Sequence, residues 1–452
     1  MDPLIILKTM LRTWELKKHD RSPLAETLEI REAAVKQLIQ FARASSPFYA
    51  EFHQGYEGAP LAELPVLTKA TMMERFDELV TDRQIRLADV ERHLDQLSAP
   101  SLFLGRYRVC STSGSTGRRG FFVFDRDEWV AAIASFRRSS AWCGVGIPML
   151  FPPMAMIASA VPWHMTAQVG SSLRLPWVRM KRFDAAGPLE ILTQRLNDLR
   201  PRFVATYPSV GRALAMEQLE GRLAIEPRVV FTGSEVLTPA VRALMEQAWG
   251  RERVFDHYGA TETGSIAAEC SRHRLHMAED LLVVEGVDRE NRPVPPGIAS
   301  EKLLVTVLFR RTQPLIRYEI SDRVVFSSVG CDCGLPWRVL ERVEGRDEEM
   351  LRLPAAGGGA REVHPVVFEG ILDNLPIAGW QVTSGGNDVT VLLAGADGID
   401  SDAIREKILE ALEKRGVVPA SVTVRKVAEL SRTATGKASH VRMASGYGQK
   451  RL

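Results

Sequence analysis

Residues 201–264 read PRFVATYPSVGRALAMEQLEGRLAIEPRVVFTGSEVLTPAVRALMEQAWGRERVFDHYGATETG. The segment divides into alternating patterns. PRFVATYPS (201–209) and PRVVFTGSE (227–235) are short β-rich runs, whereas GRALAMEQLEG (211–221) and TPAVRALMEQAWG (238–250) carry apolar residues at helical spacing. RVFDHYGATETG (253–264) is a strand running into a loop, and LEILTQRLNDLR (189–200) is a helix leading in. Strand, helix, strand, helix with short connections predicts an α/β fold with a parallel sheet covered on both faces.

The pattern changes on either side. The first ninety or so residues read as helices. PLAETLEIREAAVKQLIQFARAS is amphipathic, SPFYAEFHQG breaks it, and Thr68 is a candidate N-cap in LPVLTKATMMERFDELV. From Tyr107, RYRVCSTSG reads as a strand entering a glycine-rich turn, GFFVFD as a strand leaving it, and DRDEWVAAIASFRRSSAW as a helix capped by Asp125 or Asp127. Around Asp280 the pattern becomes antiparallel strands: EDLLVVEGVD, KLLVTVLF and LIRYEISDRVVFSS. The last hundred residues read helix, strand, strand, helix, strand, which makes a small α+β domain. The expected division is therefore 1–347 and 348–452, with the boundary near Glu348.

Composition narrows the class. The chain has 452 residues, 45% apolar and 25% charged, with 58 basic against 56 acidic side chains and a net charge of +2. Such a balance carries no nucleic-acid footprint and no polybasic membrane anchor. The N-terminal MDPLIILKTMLRTWELKKHD is too short and too charged for a signal peptide or a spanning helix, so a cytoplasmic location is expected. Five cysteines in a long chain argue against a disulfide scaffold.

Four segments carry chemistry. STSGSTGRRG (Ser111–Gly120) holds three glycines, five hydroxyl side chains and two arginines between two strands. It matches neither the Walker pattern nor G-x-G-x-x-G. Its glycines can expose successive N–H groups to an anion, although the composition equally suits a flexible turn. DHYGATETG (Asp256–Gly264) sets an aromatic, hydroxyls and an acid at a strand end, where open α/β sheets bind ligands. Tyr258 could stack on a base, and Glu262 could hold a hard cation such as Mg²⁺. Asp322 follows a strand in LIRYEISDRV, and Lys437 follows Thr435-Gly436 in SRTATGKASHVRM. Alone, the first is an acid at a turn and the second a solvated lysine.

Together with FTGSE and VEGRDEEM, these segments occur in the order and spacing of the adenylate-forming, AMP-binding enzymes, and the chain resembles that superfamily. SPFY, LPVLTK, HMAEDLLVVE and PLIRYEISD make it similar to the phenylacetate–CoA ligase group. The resemblance implies ATP-dependent activation of a carboxylic acid to an acyl-adenylate with pyrophosphate release, then transfer to the thiol of coenzyme A. On that reading Ser111, Thr112, Ser113, Gly114, Ser115, Thr116 and Gly117 wrap the β- and γ-phosphates, with Arg118 and Arg119 nearby. Ser234, Glu235 and Asp256 line the adenine pocket, Tyr258 stacks on the base, and Gly259 belongs to the same site. Thr261 contacts the α-phosphate, and Glu262 helps hold Mg²⁺. Asp322 and Arg346 reach the ribose, and Lys437 bridges carboxylate and α-phosphate. The family's small domain is mobile, turning about a hinge at the position of Glu348, and the PAAGGGA loop (Ala355–Ala360) would help line the thiol channel.

Two features depart from the group. RYEISD has Ile320-Ser321 where Thr-Gly is usual, and GIPMLFPPMAMIASAVPWHMT (Gly146–Thr166) replaces a glycine- and tyrosine-rich stretch of the acyl pocket. Adaptable methionine walls point to an aryl or other apolar acid rather than phenylacetate itself. AECSRHRLHM supplies Cys270, His273 and His276, and GCDCG supplies Cys331 and Cys333. A disulfide between residues two apart is strained, so Cys270, His276, Cys331 and Cys333 form a candidate Cys₃His zinc set. Reduced thiols are the alternative. Two other functional readings stay open: loading of a carrier-protein phosphopantetheine thiol, and a non-catalytic nucleotide-binding scaffold. A homodimer is an open expectation for its assembly.

Overall fold

The computed structural model describes residues 3–112, 119–144, 153–172, 180–346, 351–363, 366–385, 387–430 and 441–443. Ser113 to Gly117, Arg118, Glu348 and Lys437 lie outside them, and Arg346 is described in its backbone only.

Helices α1 (Pro3–His19), α2 (Leu24–Ser45), α3 (Pro47–Phe52), α4 (Lys69–Glu74), α5 (Phe76–Leu79) and α6 (Leu87–Asp95) open the chain. The SPFYAEFHQG break is itself the short helix α3. Ser46 caps it by accepting from the Tyr49 N–H, Pro47 suits its first turn, and Phe48 and Tyr49 are buried. Thr68 caps α4 as its sequence predicts.

Strands β1 (Arg108–Ser111) and β2 (Phe121–Phe124) pair antiparallel around the glycine-rich segment. Helix α7 (Arg126–Trp142) follows, with a capping box between Asp125 and Glu128. Next come β3 (Met154–Ala158), α8 (Met165–Ser172), β4 (Met180–Asp184), α9 (Leu189–Leu199), β5 (Phe203–Thr206), α10 (Pro208–Leu219), β6 (Val229–Gly233), α11 (Pro239–Trp249) and β7 (Val254–Ala260). The antiparallel section adds β8 (Gly264–Glu269), β9 (Leu275–Met277), β10 (Leu282–Val287), β11 (Lys302–Val307), β12 (Tyr318–Ile320), β13 (Asp322–Phe326) and β14 (Val339–Arg346).

Among the described residues the main sheet has the order β13-β14-β9-β8-β7-β6-β5-β3-β4. Strands β4, β3, β5, β6 and β7 pair in parallel, as the alternating pattern predicts. Beyond β7 the pairing turns antiparallel, so the sheet is mixed. The chain runs from β3 to β4 on one side, then crosses to β5 on the other. The crevice at the carboxyl ends of β3 and β5 is thus a topological switch point, where ligands bind in such sheets. LIRYEISDRVVFSS, which reads as one strand, divides at Ser321. β12 stays with β10 and β11, and β13 joins the main sheet opposite β14, so Asp322 sits at the junction of two sheets.

The C-terminal part contains β15 (Leu351–Pro354), β16 (Ala360–Val363), α12 (Val366–Leu372), β17 (Gly379–Gly385), β18 (Asp388–Ala394), α13 (Ser401–Glu413), β19 (Ser421–Val427) and β20 (Val441–Met443). PAAGGGA is the turn joining β15 to β16, with positive φ at Gly358 and Gly359. This part has its own core, in which Leu353, Phe368, Trp380, Val391, Ile408 and Leu412 pack together. No helix among the described residues is long and apolar enough to cross a membrane.

Candidate nucleotide site and a thiol–imidazole cluster

The strand ends bring several expected residues together. Gly233 of β6 pairs in register with His257 of β7, so Ser234 and Glu235 emerge beside Tyr258 and Gly259. Ser234 takes a left-handed φ of 68°, which is uncommon for a residue with a side chain and frequent at ligand-binding turns. Glu235 accepts from the Ser209 N–H (3.0 Å) at the start of α10, which ties the β6 turn to that helix. The Tyr258 hydroxyl donates to Asp322 Oδ2 at 2.6 Å, joining the expected base-stacking and ribose-binding residues directly. Asp322 is also the cross-strand partner of Arg346.

Thr261 and Glu262 form the turn between β7 and β8, and Glu262 is buried. Its charge acts on the buried Arg310 more weakly than that of Glu128, and the Arg310 guanidinium lies 3.8 Å from the Phe124 ring centroid. Asp256 is engaged behind the strand. It accepts from the Thr232 hydroxyl (2.8 Å), and its N–H donates to Glu269 (2.9 Å). Burial first, and then the neighbouring Glu269, push its carboxyl up to about 7, while Thr232 and Arg242 oppose the shift.

The ends of the glycine-rich segment are pinned. Thr112 N–H donates to the Gly120 carbonyl and Gly120 N–H to Thr112 Oγ1, both at 3.0 Å. Ser111 N–H donates to the Trp163 carbonyl (3.2 Å), which seats the hairpin on the loop following β3, at the switch point. Arg119 is turned aside. Its guanidinium lies 4.7 Å from the Trp163 ring centroid and 5.5 Å from that of Phe121, with Asp95 at 3.6 Å.

Two residues outside the sequence expectations border the site. A Cβ on Gly120 would stand 3.0 Å from Lys69 Cε, which puts that lysine at the mouth of the hairpin. His257 lies between Gly233 and Gly259, with Nε2 2.9 Å from Ser265 Oγ, and Ser265 Oγ is 2.7 Å from Ser139 Oγ. Burial pushes its imidazole down to about 4, so it is neutral at physiological pH. His257 stands inside a motif segment, but only the packing of α7 against β8 distinguishes it from a neighbour.

A second cluster forms where β9 meets the 331–333 loop. Donor atoms of Cys270, His276, Cys331 and Cys333 all lie within 4.8 Å of one another. Cys270 Sγ is 3.8 Å from Cys331 Sγ, and Cys333 Sγ is 3.3 Å from His276 Nε2. Tetrahedral Zn–S bonds of about 2.3 Å give S···S edges of ~3.8 Å, so the set fits zinc. His276 Nδ1 lies 3.0 Å from the Trp337 carbonyl; donation there leaves the Nε2 lone pair facing the thiols. His273 stands apart, stacked on Phe255 at 4.8 Å.

Known proteins agree with this architecture. The AMP-binding enzyme family matches residues 107–298. A phenylacetate–coenzyme A ligase of Aromatoleum evansii is 26% identical over 257 residues, 54% of this chain and 55% of that protein. One of Thermus thermophilus is 27% identical over 280 residues, 60% of each chain. The chain thus matches little more than half the length of these curated relatives. A 2-hydroxyisobutyryl-CoA ligase in its postadenylation state with 2-HIB-AMP superposes with a TM-score of 0.73, at 18% identity over 95% of this chain and 92% of that one. The same ligase in its thioesterification state gives 0.59, at 20% identity over 94% and 91%. Strand ends, hairpin and matched relatives converge: residues 107–298 carry an AMP-binding enzyme domain, within a fold shared with adenylate-bound CoA ligases.

Proposed function

We propose that the protein activates an apolar carboxylic acid with ATP and passes the acyl group to the thiol of coenzyme A. A carboxylate oxygen attacks the α-phosphorus of ATP. The bond from that phosphorus to the pyrophosphate oxygen breaks, giving acyl-adenylate and pyrophosphate. The thiol then loses its proton to solvent, its sulfur attacks the acyl carbonyl carbon, and the bond to the adenylate oxygen breaks to release AMP. Two anions meet in the first step, so positioning and charge neutralisation supply most of the catalysis.

The observation that carries this reading is the Tyr258–Asp322 bond at the carboxyl ends of β6 and β7, beside Ser234 and Glu235. It presents in one rigid unit an aromatic face, which would stack on the base, and a carboxylate, which would bind the ribose. The hairpin mouth at Thr112 and Gly120 stands at the same end of the sheet and would hold the pyrophosphate. Thr261 would contact the α-phosphate. Glu262, a buried carboxylate in the adjoining turn, would hold Mg²⁺, which neutralises phosphate charge. Lys437, on the C-terminal part from residue 348 onward, would bridge the two reactants in the first step. Cys270, His276, Cys331 and Cys333 would hold zinc, which would staple the turn after β8 to the 331–333 loop. Met154 and Met156 of β3, with Trp163 beyond it, support an apolar acid. The names of the curated relatives support coenzyme A as acceptor.

Pyrophosphate release across aryl, arylacetic and fatty acids, followed by thiol consumption on adding coenzyme A, tests the proposal. Release with one acid class and stoichiometric thioester is expected. Thioester only on a phosphopantetheinylated carrier protein would move the acceptor, and no release with any acid would overturn the reading.

A further inference from the structure

A buried polar cluster joins the two cores. Asp373, just beyond α12 in the C-terminal part, accepts from the Trp380 indole N–H through Oδ1 (2.6 Å) and from the Thr238 hydroxyl through Oδ2 (2.6 Å). Thr238 belongs to the N-terminal part, where it caps α11 by accepting from the Val241 N–H. Arg212 of α10 places Nη1 3.6 Å from Asp373 Oδ1 and donates from Nη2 to the Leu375 carbonyl at 2.9 Å. The four side chains are nearly out of solvent: Arg212 is 5% exposed, Thr238 3%, Asp373 8% and Trp380 1%.

The cluster is divided unequally. Trp380 and Asp373 share the C-terminal core, so their bond persists however that part sits. The Thr238 and Arg212 contacts exist only while the two parts are docked. Arg212 Nε has no hydrogen-bond partner, and burial lowers the basicity of this guanidinium while Asp373 opposes that shift. A buried guanidinium left half-satisfied gains hydration when the contact opens, which makes the contact readily reversible. Thr238 also ends the turn that begins with Ser234 and Glu235, and Glu235 is tied to the start of the helix that carries Arg212. The C-terminal part therefore docks on the backbone that carries the expected adenine residues.

We propose that Arg212, Thr238 and Asp373 form a latch that holds the C-terminal part in the arrangement for acyl-adenylate formation and opens before thioester formation. The inference rests on the proposed two-step reaction. That the docked arrangement precedes thioester formation is supported by the higher TM-score against the postadenylation state of the hydroxyisobutyryl-CoA ligase, 0.73, than against its open conformation, 0.60, or its thioesterification state, 0.59. The three side chains are positioning residues: they set which arrangement is populated, and they touch no reacting atom.

The test separates the two half-reactions and reads domain placement independently. Arg212→Leu and Asp373→Asn should each slow acid-dependent ATP–pyrophosphate exchange by about tenfold, with thioester formation from preformed acyl-adenylate unchanged or faster. The double variant should be no slower than either single one, because both remove one contact. Thr238→Ser keeps hydroxyl and cap, and should behave as the unaltered protein. Small-angle X-ray scattering of the full chain should show an increased radius of gyration for Arg212→Leu. Equal loss in both half-reactions, no loss in either, additive effects in the double variant, or unchanged scattering would each overturn the latch. If the unaltered protein exchanges with no acid, the functional reading fails, and the scattering comparison still decides the latch.

Discussion

The strand ends proposed to face the nucleotide and the Arg212–Asp373 contact are both buried and polar, but they are held in different ways. Tyr258 and Asp322 sit on β7 and β13, strands of one sheet, so each end of their bond is anchored by ladder hydrogen bonds within that sheet. Arg212 and Asp373 belong to separate cores, which meet here through side chains and one bond from Arg212 to the Leu375 carbonyl, without a shared strand ladder. A sheet can hold charge-binding groups preorganised through a reaction cycle, whereas a side-chain contact between two cores can be made and broken within it. The thiol–imidazole cluster belongs to the first kind, since a metal there would join two loops of the same sheet.

The contrast is open to experiment. Among changes at the strand ends, Asp322→Ala should be the most damaging, lowering ATP-dependent turnover about a hundredfold, because it removes the carboxylate expected to hold the ribose and leaves the Tyr258 hydroxyl without its acceptor. Steady-state kinetics with saturating acid would show it. A smaller effect would mean the strand ends are less preorganised than described. Cys331→Ser should lower bound zinc by at least about half and the melting temperature by ~5 °C or more, read by metal analysis and calorimetry on protein purified without chelator. Unchanged values for both would leave the cluster as reduced thiols.

Asp256 sets a pH-dependent prediction. Its carboxyl is pushed up to about 7 from an ordinary value of 3.8, so the folded state binds its proton more tightly than the unfolded chain. The stability this contributes is complete below pH ~4, declines as pH rises, and is gone above pH ~7. Glu269, Arg242 and Thr232 face the group, and Asp256→Asn leaves all three in place. The variant should flatten the pH dependence of the melting temperature between about 4 and 7. An unchanged slope would place the titration elsewhere. Tyr258→Phe should have the smallest effect, about fivefold on turnover, since it removes one hydrogen bond and keeps the ring. A loss as large as that of Asp322→Ala would make the hydroxyl, rather than the carboxylate, the main anchor.

Much of this arrangement is visible in the sequence because its chemistry lies in short contiguous runs at strand ends. FTGSE, DHYGATETG and RYEISD each place a strand, its turn and the polar groups together, so reading the strand locates the groups. The stretch containing Met154–Ala158 hides its strand. β3 is paired on both sides, and Pro, Met and Trp interrupt any alternation. The second strand of RYEISDRVVF is hidden for another reason: the chain changes sheets without a glycine or proline to mark the corner. His257 and Lys69 become site residues only through packing. Thr238 and Asp373 are 135 residues apart, and a lone threonine at a helix start or a lone aspartate after a helix says nothing of the other.

On the proposed function these strand ends would serve acid activation by ATP, with Lys437 supplied by the C-terminal part. Acid-dependent exchange of labelled pyrophosphate into ATP, measured for the unaltered protein and for Lys437→Ala, tests it most directly. The account predicts exchange with at least one apolar acid and its loss by about a hundredfold or more in the variant. Binding of ATP without exchange for any acid, or exchange that survives Lys437→Ala, would contradict it.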